Sequence, residues 1–141
     1  VQRVGFITDD DYTMGASPDG LVGEDGMVEV KCLKAENHIK AIIYYRQNGR
    51  CPPGYTQQTQ GQMLICERDW CDLIFYHPDL PLLVIRQGPD ERVRDGLLTC
   101  IPTLLSLRDS VLEILREDSA GEVKLEPVPP PVDLANEQPI F

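Results

Sequence analysis

The chain has 141 residues, 42% apolar and 26% charged, which suits one ordinary globular domain with a single core. No run of about 18 apolar residues occurs, so no transmembrane helix is expected. The net charge of −10 argues against a basic nucleic-acid coat, but it is uneven: residues 1–88 carry −4 and residues 89–141 carry −6, so an acidic tail is compatible with a locally basic groove.

Val4 to Thr8 reads as a short strand, Asp9-Asp10-Asp11 as an exposed turn, and Tyr12 to Ser17 as a returning strand. The acidic turn is not a calcium loop of the EF-hand kind. That loop needs Gly at its sixth position and Glu at its twelfth, where this chain has Met14 and Gly20. Pro18-Asp-Gly-Leu21 reads as a tight turn and Gly23-Glu-Asp-Gly26 as a hairpin turn. Met27 to Cys32 alternates strictly. Met27, Glu29 and Lys31 share one face, while Val28, Val30 and Cys32 form an apolar face opposite.

Residues 36–47 are expected to be helical, with Ile39, Ile42 and Ile43 on one face and Asn48-Gly49 as the stop. Cys51 to Gly54 is a loop, and residues 55–67 form a glutamine-rich helix. Leu73 to His77 and Leu82 to Arg86 are strands of a hairpin. Residues 90–117 make a long helix, kinked at Pro102. Apolar residues at 97, 98, 101, 104, 105, 107, 111, 112, 114 and 115 predict a broad buried face for it. The fold class is α/β (α+β), a central mixed sheet flanked by helices. Residues 1–118 form the folded core, and residues 119–141 an acidic, Pro-rich tail unable to build one.

Asp19 stands where a strand ends, and Glu29 and Lys31 lie about 7 Å apart along the next strand. The intervening Asp-Gly turn returns Asp19 toward Glu29. Two carboxylates with the Val30 carbonyl between them make an oxygen donor set suited to Mg²⁺ or Mn²⁺. Such a cation lowers the pKa of a coordinated water, and Lys31 beside it would orient that water and stabilise developing charge. Asp plus Glu-x-Lys alone is common on solvated strands. Here a Pro-Asp-Gly turn lies ten residues ahead of the Glu, and a helix Tyr55-Thr-Gln-Gln-Thr-Gln-Gly-Gln62 follows. Gln58 and Gln62 lie one turn apart on one helix face, as do Tyr55 and Gln58. A plain polar helix surface would carry the same residues.

Ala16-Ser-Pro-Asp-Gly-Leu21, Val28-Glu-Val-Lys-Cys32 and Tyr55 with its glutamine helix together resemble the lambda exonuclease/YqaJ-like viral recombinase family of the PD-(D/E)xK nucleases. The resemblance spans residues 4–117 and implies a restriction-endonuclease-like core. It implies Asp19, Glu29 and the Val30 carbonyl as metal ligands, and Lys31 acting on the nucleophilic water. Gln58 matches the family's helical glutamine, and Ser17, Tyr55 and Gln62 would face substrate. The implied activity is a Mg²⁺- (or Mn²⁺-) dependent 5′→3′ exonuclease that degrades linear duplex DNA and leaves 3′ single strands. The implied partners are double-stranded DNA ends, a single-strand annealing protein and further copies in a trimer ring, in the cytoplasm of a cell carrying the phage or prophage. The family also has an N-terminal helical part with a further acidic residue upstream of the first strand. Only 18 residues precede Asp19 here, they read as a hairpin, and position 1 is not Met. The chain is therefore expected to be a fragment, a shortened form, or one completed by another chain, and to hold a second metal poorly. A catalytically weak or inactive DNA-binding or assembly module is the alternative.

The cysteines, at 32, 51, 66, 71 and 100, show no CxxC zinc spacing and are expected as free thiols. His38 and His77 are read as structural or surface residues, and Trp70, Phe75 and Tyr76 as core rather than a base-stacking platform. Lys34, Lys40, Arg46 and Arg50 suit phosphate contacts or a solvated helix face equally. Asn136 to Phe141 reads as a disordered end, or as an acidic tip of the kind that recruits partners.

Overall fold

The turn at Gly23–Asp25 folds β3 (Gly20–Val22) back on β4 (Gly26–Cys32), with Gly20 opposite Val28. A computed structural model describes residues 1–118; the expected tail, with Asn136 to Phe141, lies outside the described residues. Ahead of β3, the strands β1 (Ile7–Thr8) and β2 (Gly15–Ala16) form a separate antiparallel ribbon, shorter than the sequence pattern predicts. Asp9 pins its tip: the carboxylate accepts from the Thr13 amide (2.7 Å), the Met14 amide (2.8 Å) and the Thr13 hydroxyl. Those bonds, the hydroxyl first, hold its carboxyl below the ordinary carboxylate range. The chain then bends at Asp19, and Gly20 and Leu21, expected in a tight turn, already belong to β3.

β5 (Trp70–Tyr76) pairs parallel with β4, and β6 (Leu83–Gln87) antiparallel with β5, giving the order β3-β4-β5-β6. A parallel pair cannot be closed by a hairpin. Two helices make the crossover, α1 (Ala35–Asn48) and α2 (Thr56–Ile65). Gly49 ends α1 at φ 63, the left-handed conformation that glycine enters without strain, and its amide bonds the Tyr45 carbonyl. Gly26 serves a different need. A Cβ there would meet the Trp70 ring at 2.1 Å, so only glycine lets the indole lie against β4. Arg86 covers the same indole, 3.9 Å from its centroid, and forms a two-pronged ion pair with Asp72.

Two apolar clusters line one face of the sheet. Ala41, Leu73, Phe75 and Ile85 form the larger, with Tyr45 and Tyr55 packed on it. Met27, Met63 and Cys71 form the smaller. The face of β4 that turns inward is the one carrying Met27 and Glu29, whereas Val30 and Cys32 on the uniformly apolar face are exposed. In α1 the buried positions are His38 and Ala41, and Ile39 and Ile43 are exposed. His38 is fully enclosed and its Nε2 donates to the Pro81 carbonyl at 2.8 Å. Phe75 is core as expected, but Tyr76, at the strand end, is exposed.

The chain divides into two compact units, Val1–Leu105 and Ser106–Phe141. The long helix α3 (Glu91–Asp118) begins in the first and supplies all described residues of the second. It continues as helix through Pro102. Its predicted buried face is not buried: Leu98, Leu104, Leu107, Val111, Ile114 and Leu115 are exposed. Periodicity marks which side of a helix is apolar; it carries no information on what is set against that side.

All five cysteines are free thiols. Burial pushes the Cys71 thiol up to about 12, helped by the negative charges of Glu29 and Asp72. Above the ordinary thiol value the unfolded chain loses this proton and the folded one keeps it. Stability from this group is thus complete below that value and falls as pH rises through the folded one. Urea unfolding of Cys71→Ala across the alkaline range is expected to show a shallower loss than the unsubstituted chain, by about 1 kcal/mol per pH unit. Parallel curves would contradict this placement of Cys71.

Candidate active site

β4 carries the centre of the site. Its alternation sends Glu29 and Lys31 to the same side as α2, and the antiparallel register of β3 brings Asp19 level with them. β3 begins only at Gly20, opposite Val28, so past Val28 the edge of β4 lacks a β3 partner. The Asp19 carboxylate fills that place: its Oδ2 accepts from the Val30 amide at 2.6 Å. A side chain thus takes over a backbone ladder bond and is fixed in direction by it.

Glu29 is 5% exposed. An unpaired carboxylate in that position would be very costly, and three donors meet it. Lys31 Nζ lies 2.6 Å from Oε1, Gln58 Nε2 donates to Oε1 at 2.8 Å, and Gln62 Nε2 donates to Oε2 at 2.9 Å. The two amides come from successive turns of α2, whose Met63 joins Met27 and Cys71 in the small cluster. That apolar contact sets the height of α2 above β4. Two further polar groups fix its other faces: the Gln60 amide spans the Gly88 carbonyl (2.8 Å) and the Asp90 amide (2.8 Å), and the Thr59 hydroxyl meets Gln87.

Asp19, Glu29, Val30, Lys31, Gln58 and Gln62 therefore converge at one place. Ser17 is exposed two residues before Asp19. Tyr55 packs edge-on against Phe75, with ring centroids 5.0 Å apart, and belongs to the larger apolar cluster. What the sequence does not show is that Gln62 is buried and directed at Glu29 across 33 residues of chain; its i+4 spacing from Gln58 was the available signal.

The donor chemistry fits a hard divalent cation. Asp19 is exposed, Glu29 is adjacent, and both offer oxygen. Lys31 supplies a positive charge to Glu29, so a cation entering there would exchange like for like. Among the described residues no group of three His, Cys, Asp or Glu side chains is assembled to hold a metal, so the set has two carboxylates.

Residues 1–69 match the YqaJ-like viral recombinase domain. Asp19, Glu29 and Lys31 lie inside the matched stretch; Gln62 does too, at its end. The alkaline exonuclease LHK-Exo from Laribacter hongkongensis has a similar structure, with a TM-score of 0.73 and 34% identity over 85% of this chain. LHK-Exo in complex with dAMP gives a TM-score of 0.74 and 33% identity, again over 85% of this chain. In both cases this chain spans 62% of the exonuclease's length. No curated protein matches it.

Removing the carboxylate would leave Lys31 and two amides facing an apolar pocket. Glu29→Ala is expected to lose about 2 kcal/mol of stability in urea unfolding. A loss under about 0.5 kcal/mol, the range of an ordinary surface change, would mean that Glu29 is not held as described.

Proposed function

We propose that this chain is the catalytic core of a Mg²⁺-dependent (or Mn²⁺-dependent) deoxyribonuclease of the PD-(D/E)xK kind. It would digest linear duplex DNA 5′→3′ and leave 3′ single strands for recombination. The observation that carries this is the junction of Asp19, just ahead of β3 and bonded to the Val30 amide, with Glu29 on β4 and Lys31 at 2.6 Å from Glu29. The YqaJ-like domain and the likeness to an alkaline exonuclease support it.

Asp19, Glu29 and the Val30 carbonyl would hold the cation. When bound, it supplies a water of lowered pKa and charge stabilisation at the phosphate. Lys31, freed from Glu29 Oε1, offers an ammonium to orient that water and to meet the charge that develops on the phosphate oxygens. Gln58, whose Nε2 meets the same Oε1 as Lys31, would stand beside the cation and its water. The proposed substrate contacts are the exposed Ser17, and Tyr55 one turn before Gln58. The net charge of −10 opposes DNA until cations are bound, so binding is expected to depend on both metal and salt. The proposed partners are duplex DNA ends, a single-strand annealing protein and further copies in a ring. The proposed setting is the cytoplasm of a cell carrying a phage or prophage. Among the described residues no helix is long and apolar enough to cross a membrane.

The set of only two carboxylates favours one alternative, a DNA-binding or assembly module with little turnover of its own. Digestion of end-labelled linear duplex with Mg²⁺ separates the two. The nuclease predicts loss of label from the 5′ end and a drop of roughly 10²–10³-fold in Lys31→Ala. Equal residual activity in both proteins, with duplex still bound, would leave the module.

A further inference from the structure

Gln62 is the one polar side chain of the site that is itself buried, 6% exposed, without being charged. Its Nε2 donates to Glu29 Oε2 at 2.9 Å. Its Oε1 is buried with no hydrogen-bond partner among the described residues. A buried amide acceptor without a donor costs free energy, so the side chain does not hold this place for its own benefit. Turning the amide over would not help. It would set oxygen against the carboxylate oxygen and give up the one side-chain bond that Gln62 makes among the described residues. The orientation is thus dictated by Glu29 alone.

The partners of Glu29 also divide into two kinds. Lys31 and Gln58 converge on Oε1, and Gln62 alone engages Oε2. Lys31 is partly exposed and on a flexible stem, and Gln58 is at the helix surface. Gln62 lies beneath them, one turn on, next to Met63 in the small apolar cluster. Its position is fixed by packing, whereas theirs is free to change when a ligand enters.

We infer that Gln62 is a positioning residue for the metal centre rather than a substrate contact: it locks the Glu29 carboxylate so that Oε1 stays presented to a divalent cation when Lys31 leaves. This rests on the proposed metal site of Asp19 and Glu29. Residues that orient a metal ligand typically change metal affinity 10–100-fold when altered.

The test is Mn²⁺ binding to the 141-residue chain without DNA, by calorimetry and by the spin resonance of bound Mn²⁺, in the unsubstituted protein, Gln62→Met, Gln62→Glu and Asp19→Asn. Methionine keeps length and helix propensity, removes the donor, and removes the orphaned acceptor with it. Gln62→Met is expected to fold with thermal stability equal to or above the original and to bind Mn²⁺ about 10-fold more weakly. Gln62→Glu, with carboxylate against carboxylate, is expected to be less stable. In digestion assays the Mn²⁺ concentration for half-maximal rate should rise in Gln62→Met, with the rate at saturating Mn²⁺ largely restored. A merely structural role would lower stability and leave metal half-saturation unmoved. Gln62→Met binding Mn²⁺ as tightly as the unsubstituted chain overturns the assignment. No Mn²⁺ binding by the unsubstituted chain, or binding undiminished in Asp19→Asn, overturns the metal site beneath it.

Discussion

A carboxylate almost wholly removed from water stands between two apolar clusters, and the elements around it are placed so that its oxygens are met. Glu29 can be buried only if donors reach it. One comes from its own strand two residues on, and two come from successive turns of α2. That requirement fixes α2 over β4 in height and rotation, since a slide of one residue would swing both glutamines off the carboxylate. The Met27, Met63 and Cys71 cluster holds the same relation from the apolar side. Packing and hydrogen bonding thus specify one arrangement between them, which is what gives a site its fixed geometry.

The neighbouring constraint is the late start of β3. Because β3 starts only at Gly20, the amide of Val30 is left for Asp19, and a potential metal ligand is oriented by the sheet itself. One ligand is therefore set by the backbone ladder and the other by α2. The two restraints are independent, and a defect in the helix would misplace Glu29 while leaving Asp19 where it is. The outward side of the constellation is Asp19 and Gln58, with Lys31 partly exposed between them and the buried Glu29.

Much of this was legible in the chain. β4, α1, α2 and the β5–β6 hairpin follow from alternation, helical spacing and turn residues, and Asp19, Glu29, Lys31 and Gln58 follow from their spacing and family likeness. The direction of burial was not. On β4 the alternation separated the two faces without saying which is inward; the inward one carries Met27, packed on an apolar cluster, and Glu29, met by hydrogen bonds. On α1 the isoleucines outweighed His38 and Ala41, yet a small residue and an enclosed ring are what allow the helix to approach the sheet. On α3 the pattern gave the stripe but not a surface to cover it. The pairing of Gln62 with Glu29 was out of reach for another reason: it depends on the parallel crossover, which no local pattern encodes.

The central claim is that Asp19 and Glu29 together receive a divalent cation and that Lys31 yields its place to it. A crystal of the 141-residue chain soaked in Mn²⁺, measured at a wavelength where manganese scatters anomalously, tests this directly. The account predicts one anomalous peak at the Asp19 and Glu29 carboxylates, with Lys31 Nζ drawn away from Glu29 Oε1 and Gln62 unmoved. Absence of a peak there, with Lys31 still on Glu29 at high Mn²⁺, would contradict it.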